Sequence, residues 1–367
     1  MDFLFLSQKD MLRAGVLDMH KCVKVMDKAF KLLGKGDYIM GGPSGNSHGI
    51  KLWFPYKPRG PNMPVDAPDR RFLSLIAYLG GEFNICGQKW YGSNIENPLK
   101  YSLPRSVLLI TLNDPVTAVP LAIMEGNLVS AMRTGAVVGL GAKYLAKRNA
   151  EVAGIIAAGV ISRTCLMALS VGLKNLKEVK VFDVSQSKAQ IFSAEMSKEL
   201  SINVHPVDTL EEAVRNSDAI SFATSGAKKP FIKTEWLKEG SFITLSSEAE
   251  FSDDLWRTSK IVADNWKMHL DWREDFKRLP GGFKSRIMYS SIHELIGKGE
   301  LKDEDILELG QITSDARKVK KNKQERIVFI TGGMAIEDLA WSYTIYKRAL
   351  EENIGQKLTL WDEPYWL

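Results

Sequence analysis

Residues 152–183, VAGIIAAGVISRTCLMALSVGLKNLKEVKVFD, read as a strand, a tight turn, a helix and a second strand closed by a carboxylate. That order is the layout of a dinucleotide-binding βαβ unit, whose turn carries the pattern G-x-G-x-x-G/A. In this frame Ala157 takes the first glycine position, Gly159 the second and Ser162 the third. The second position matters most, because only a residue without Cβ lets the backbone approach a pyrophosphate closely. Asp183 follows Gly159 by 24 residues, near the offset at which an acid binds a ribose 2′-hydroxyl. Arg163 and Thr164 open the helix, where free N–H groups and a basic side chain suit phosphate. An acid at 183 without a basic neighbour favours NAD over NADP. The competing reading is an ordinary parallel α/β domain without a nucleotide, and this stretch alone leaves both open.

The 367 residues suffice for two domains, and a hydrophobic content of 45% with 25% charged residues is ordinary for a soluble globular protein. The net charge of +5 is small for this length, with Lys and Arg concentrated at 316–326, ARKVKKNKQER. A solvated face or loop accounts for that run, and no RNP signature or aromatic-interleaved basic stripe points to nucleic acid. Three widely spaced cysteines, Cys22, Cys86 and Cys165, fit neither a disulfide framework nor a metal site. The start MDFLFLSQKDM is too short and too acidic for a secretion signal, and no apolar run reaches 18 residues. A cytoplasmic protein with no membrane segment is expected.

Outward from 152–183 the pattern divides. Residues 8–34 carry apolar residues at helical spacing and end at Gly34, which predicts one helix with a glycine C-cap. Residues 38–70 read as loops with short strands, and 72–124 as several strands without helices between them, hence an antiparallel sheet. NLVSAMRTGAVVGLGAKYLAKR, 127–148, predicts a small-residue helix with Asn127 as N-cap. Beyond it strands and helices alternate, the signature of a doubly wound parallel sheet. RIVFITGG, 326–333, leads into a last helix over 334–352. The fold class expected is therefore α/β, a Rossmann-type parallel sheet plus an α+β domain with an antiparallel sheet.

Two charged residues stand in apolar settings. Lys89, in GQKWYGSNIEN, lies on a strand, and an ammonium is costly to bury without a partner. It reads either as a pocket lysine with a lowered pKa that transfers a proton, or as a snorkelling or edge-strand lysine. Arg133, among Ala, Gly, Ser and Met, reads either as a bidentate partner for a substrate carboxylate or as the partner of a structural acid such as Glu125. His48 and His269 read as structural or surface histidines. The five histidines show no zinc spacing, and no G-x-S-x-G or P-loop is present.

At these residues the chain resembles the ornithine cyclodeaminase/mu-crystallin family. The resemblance runs through GQKWYGSNIEN with the following LPRS, LLITLNDPVTAVPLAIMEGNLVSAMRTGA, AAGVISRT with its VFD, ATSG, and KIVADNW; the lysine strand and SAMRTGA are its specific parts. It implies a substrate and dimerisation domain over 1–130, completed by 334–367, a dinucleotide-binding domain over 131–333, a homodimer, and a nicotinamide cofactor, NAD. It also implies that Lys89 is the catalytic lysine and that Arg133, with Arg71 or Arg70, binds the substrate carboxylate. Ala158, Gly159, Val160, Ile161, Asp183, Thr224 and Thr134 are expected at the cofactor. Cyclodeaminases of the family carry a catalytic aspartate soon after the strand matching SFITLSS; here the stretch reads LSSEAEFSDD, and Glu248 is the nearest substitute. The implied activity is hydride transfer at the α-carbon of an amino acid: ornithine cyclodeamination to proline and ammonia, or net imine reduction or amino-acid dehydrogenation. A non-catalytic binding protein like mu-crystallin is the reading from a different class.

Overall fold

The computed structural model describes residues 1–67, 69–225, 229–252, 254–277, 288–319 and 324–366. The centre of the basic run at 316–326, Gly226 of ATSG and Asp253 of LSSEAEFSDD lie outside the described residues. The chain forms two compact units. The first comprises Met1–Asp18, Gly36–Ser130 and Met334–Leu367, and the second Met19–Lys35 and Ala131–Gly333.

In the second unit the described residues form an eight-stranded sheet. Its order is Asn203–Pro206, Glu178–Phe182, Val152–Ile156, Ala219–Phe222, Phe242–Leu245, Ile327–Ile330, Lys260–Ala263 and Leu307–Glu308. Every pairing in it is parallel. Ala219–Phe222, Phe242–Leu245 and Ile327–Ile330 are buried at every position, which is why they read as unbroken apolar runs rather than alternating ones. Strand order reverses between Val152–Ile156 and Ala219–Phe222, so the loops leaving Ile156 and Phe222 open at the switch point of a doubly wound sheet. Ala157 starts the first of these loops with φ +82°, in the left-handed region that glycine adopts freely and alanine does not.

The helix Val160–Gly172 packs backbone to backbone against the small-residue helix Asn127–Leu145. A methyl at Gly135 would collide with the Thr164 carbonyl, one at Gly139 with the Ala168 carbonyl, and one at Gly172 with the Gly139 carbonyl. Ordinary side chains would therefore hold the two helices apart.

Three expectations for the N-terminal helix need correction. The 8–34 segment is two helices, Gln8–Arg13 and Met19–Lys35, broken at Gly15, whose φ of +78° no helix accommodates. Gly34 lies inside the second helix, where a side chain would collide with the Gly310 carbonyl; Gly36, at φ +77°, follows the helix end. The Met19–Lys35 helix belongs to the second unit, not the first, because its apolar face packs on Leu309–Thr313 and Val160–Gly172.

In the first unit the strand order is Gln356–Thr359, Asp2–Leu6, Pro120–Glu125, Ser106–Asn113, Ile85–Ser93, Arg71–Leu79 and Tyr38–Met40, with Ile50–Trp53 also pairing to Arg71–Leu79. All pairings are antiparallel except Asp2–Leu6 with Pro120–Glu125. Leu73, Leu75, Ala77 and Leu79 face inward, and the helix Ala335–Glu351 covers this face. Gly87 admits that helix, since a side chain there would press on Leu339 and the Thr111 carbonyl.

Replacing Ala157 by glycine is expected to stabilise the protein slightly. Relief of ~1–2 kcal/mol of left-handed strain is offset by roughly 0.5–1 kcal/mol of glycine chain entropy. Urea unfolding should show a midpoint equal to or above that of the parent; a fall of 1 kcal/mol or more would contradict the strain argument.

Candidate active site

Lys89 sits mid-strand, between Leu75 and Ile110 on the neighbouring strands, and its side chain is 3% exposed. Its Nζ lies 2.6 Å from Asp338 Oδ2 and 3.4 Å from Ser130 Oγ. Asp338 is fully buried in the first turn of Ala335–Glu351, beside the equally buried Glu337, where the helix dipole favours negative charge. The structure thus supplies the partner that a buried ammonium requires. Sequence reasoning missed Asp338. The signal was there, because an Ile-Glu-Asp-Leu run in an apolar helix poses the same burial problem as Lys89.

The N-cap part expected of Asn127 is taken by Glu125. The Glu125 carboxylate accepts the backbone N–H groups of Asn127 (2.6 Å) and Leu128 (3.2 Å), and so caps the small-residue helix. Burial raises the Glu125 pKa, and these two amide bonds oppose the rise. Asn127 instead ties the helix to the sheet, accepting from Leu108 N–H and donating to the Ser106 carbonyl, both at 2.8 Å.

The loop before Arg71–Leu79 is organised by Asp69, which pairs with Arg71 and, at 2.6 Å, with Arg105 Nε. The Arg71 guanidinium also lies 5.4 Å from the Trp53 ring centre and 5.7 Å from that of Tyr91. Arg70 is paired with Glu96 at 2.9 Å. Of the two arginines, Arg71 is the one placed beside aromatic faces.

In the second unit the dinucleotide turn is ordered by Asp183. One carboxylate oxygen accepts Ala158 N–H and the other Ser185 N–H, each at 2.8 Å. Gly159 is the N-cap of Val160–Gly172, at φ −95°, and no described atom lies within 4 Å of where its Cβ would stand. Neither backbone strain nor internal packing therefore calls for glycine at 159. Ser162, at the third glycine position, is buried, and its hydroxyl has no hydrogen-bond partner among the described residues. Thr224, in the loop across the switch point, is held by Ser247 through its N–H (2.8 Å) and its hydroxyl (3.0 Å).

Arg163 does not serve the turn. Its guanidinium pairs with Glu195 and with Glu199 (3.1 Å) on the next helix, Gln186–Leu200. Thr164 donates its hydroxyl to the Ile161 carbonyl of its own helix, at 3.0 Å. Glu248 is also engaged, with one oxygen on Tyr289 N–H and the other on the Lys229 ammonium, both at 3.0 Å.

Arg133 is 7% exposed, and Thr134 follows it next to the close helix contact at Gly135. His269 is fully buried beside Asp264, and His293 stacks on Trp266 at 5.1 Å. Burial, followed by the neighbouring His269 and Arg273, lowers the His293 pKa to about 3, which keeps it neutral. Among the described residues no cluster of His, Cys, Asp or Glu could hold a metal ion, and no helix is long and apolar enough to cross a membrane.

Residues 16–353 match the model of the ornithine cyclodeaminase/mu-crystallin family. The chain is 31% identical over 294 residues to an N-((2S)-2-amino-2-carboxyethyl)-L-glutamate dehydrogenase of Staphylococcus aureus, covering 79% of this chain and 82% of that one. It is 28% identical over 365 residues to an alanine dehydrogenase of Archaeoglobus fulgidus, covering 98% of each. The solved structure of Thermococcus litoralis Δ1-pyrroline-2-carboxylate reductase, in complex with NADH and L-proline, superposes with a TM-score of 0.80 at 29% identity, over 96% of this chain and 99% of that one. An archaeal alanine dehydrogenase dimer with bound NAD superposes with a TM-score of 0.79 at 26% identity, over 98% and 100%.

Because nothing in the chain fills the space at Gly159, Gly159→Ala is expected to leave thermal stability nearly unchanged. NADH affinity should fall at least tenfold, about 1.4 kcal/mol, in a fluorescence titration. Equal affinity would remove the turn from the cofactor site.

The buried pair gives a second test. Lys89→Met strands a buried carboxylate and should destabilise the protein by ~3–5 kcal/mol. Lys89→Met with Asp338→Leu should recover most of that in urea unfolding, yet stay inactive while still binding NADH. Activity in the double variant would assign the lysine to structure alone.

Proposed function

Because the chain belongs to the ornithine cyclodeaminase/mu-crystallin family, we propose that it is an NAD-dependent oxidoreductase interconverting an α-imino acid and the corresponding α-amino acid. The observation that carries this reading is the Lys89–Asp338 pair, an ion pair buried on the inner face of a central strand, where an apolar pair would pack at no electrostatic cost.

The residues at the switch point fit a nicotinamide dinucleotide. The open space at Gly159, the unpaired N–H groups that begin any helix and the loop with Thr224 meet where doubly wound sheets take such ligands. Val160 and Val184, 69% and 96% exposed, flank the turn and the Asp183 strand end, and supply apolar surface for a ribose and a base. The Asp183 carboxylate repels a 2′-phosphate, so the cofactor proposed is NAD. When bound, its nicotinamide supplies or accepts the hydride at the substrate α-carbon.

The chain's own residues bind, orient and move a proton. Arg133 grips the substrate carboxylate bidentately, which fixes the α-carbon for transfer and is chiefly a positioning effect. Within the first unit, Arg71, beside Trp53 and Tyr91, is the other arginine proposed to bind substrate. The Lys89 ammonium, held by Asp338, gives a proton to the substrate nitrogen on reduction and recovers it on oxidation, so that imine, hydride and one proton yield the amine. Glu248, bound to the Tyr289 amide and the Lys229 ammonium, is assigned to bracing its loop. With that carboxylate committed, net imine reduction or amino-acid dehydrogenation is placed ahead of ornithine cyclodeamination. Retention of the buried Lys89–Asp338 pair sets the non-catalytic binding reading behind both.

The outer face of the antiparallel sheet carries Phe72 stacked on Trp90, with ring centres 5.7 Å apart, and Leu109 opposite Trp90; all three are exposed. An apolar face of this kind suits a second copy of the chain, and a homodimer is proposed.

The reading is tested by mixing the protein with NADH and Δ1-pyrroline-2-carboxylate, or with pyruvate and ammonia, and with NAD and L-proline, L-alanine or L-ornithine. Stoichiometric change in NADH absorbance with any of these supports a net redox enzyme. Ammonia release from ornithine without NADH build-up would favour the cyclodeaminase. Failure to bind any nicotinamide cofactor would sink both.

A further inference from the structure

Arg133 is set against a turn held by a buried carboxylate. Gly333, at φ +78°, follows the strand Ile327–Ile330, and the space of its absent side chain is taken by the Arg133 guanidinium. A methyl there would collide with Nη1 and stand 3.0 Å from Nη2 and 3.1 Å from Cζ. The backbone at 333 therefore lies flush with the guanidinium as a backstop.

Asp264 holds that backstop. Its Oδ2 accepts Gly332 N–H at 2.6 Å and Gly333 N–H at 2.9 Å. Its Oδ1 accepts Asn265 N–H at 2.7 Å and lies 3.2 Å from His269 Nε2. Asp264 and His269 are both fully buried, and among the described residues no lysine or arginine pairs with this carboxylate. The imidazole is itself fixed by aromatic neighbours: Trp266 stacked at 5.5 Å, Trp272 edge-on at 5.3 Å and Tyr289 at 5.7 Å. The Tyr289 hydroxyl spans the Leu245 and Thr331 carbonyls, at 2.7 and 3.0 Å, and clasps the residue before Gly332.

We propose that Asp264 is a positioning residue for Arg133: through the Gly332–Gly333 turn it fixes the plane in which the guanidinium meets a carboxylate. This rests on the reading of Arg133 as the carboxylate-binding group. Donors approach Asp264 from both sides, and only an acceptor-only group with two equivalent oxygens satisfies them all. An asparagine offers one acceptor oxygen and turns its N–H₂ toward amide donors, either on the turn side or on the Asn265 side. The turn is then free to shift, and the guanidinium with it.

The test pairs Asp264→Asn with Gly333→Ala, which presses on the same guanidinium from the turn itself; Leu255→Ala, a fully buried core change, is the stability control. Both turn variants are expected to raise KM for Δ1-pyrroline-2-carboxylate at least tenfold while NADH affinity stays within twofold. In an Arg133→Lys background, Asp264→Asn should add little further to KM. An unchanged KM, or independent multiplying effects of the two substitutions, would overturn the inference. Phenylglyoxal labelling of Arg133, followed by mass spectrometry, needs no substrate. Labelling should be several-fold faster in both turn variants than in the parent or Leu255→Ala. Equal rates overturn the positioning role. Faster labelling in a protein that turns over no imine or amino acid would support that role and count against the proposed reaction alone.

Discussion

A charge without access to water has to be met by another group, and in the first unit that requirement joins the two ends of the chain. Lys89 sits on an inner sheet face that is otherwise aliphatic, and its counter-charge, Asp338, is 249 positions away. The pair demands that the C-terminal helix return to the N-terminal sheet, and Gly87 clears the space in which it does so. A lone buried ammonium or carboxylate would cost several kcal/mol or more, so neither partner is tolerable without the other. The discontinuity of the first unit is thus tied to the chemistry it carries.

Much of the architecture was legible in the sequence, because period and length are local properties. Strands such as AISF and FITL are buried on both faces and read as unbroken apolar runs, whereas FLSLIAYL alternates because one face remains open. What escaped was set by long-range contact. Gly34 resembles a helix terminator locally but is required by the Gly310 carbonyl, and the helix runs on to Lys35, with the left-handed glycine at 36. Asn127 has the chemistry of an N-cap yet bonds the neighbouring strand, leaving Glu125 to cap the helix. Arg163 sits where phosphate would be met and is taken by two glutamates on the next helix. In each case the residue type was read correctly and its partner lay outside the window.

The altered glycine motif separates three demands that the full motif merges. Left-handed geometry at the first position is carried by Ala157 at a strain cost that the surrounding sheet sustains. At the third position Ser162 is buried with a hydroxyl that has no partner among the described residues, and close helix approach is made at Gly135, Gly139 and Gly172 on the paired helices. Only the second position keeps its glycine, and there neither strain nor packing requires one. The two positions without glycine are those whose requirements are structural, and the one that carries glycine has no reason for it within the described residues. That pattern argues for a turn still used to approach a ligand.

The two modes of buried charge also bear on the kind of reaction. Asp264 is held by amides and an imidazole, which fix a shape, while Asp338 faces an ammonium, the group proposed to move a proton. A hydride and one proton interconvert an imine and an amine, so the proposed redox step needs one proton-handling group and one carboxylate grip. Ring closure with loss of ammonia needs a further acid or base. Among the residues weighed for that part, Glu248 has both oxygens committed to Tyr289 and Lys229. To serve, it would have to break a backbone contact and an ion pair in every turnover. In the reaction proposed, Lys89 held by Asp338 handles the one proton required, and Glu248 is left to brace its loop.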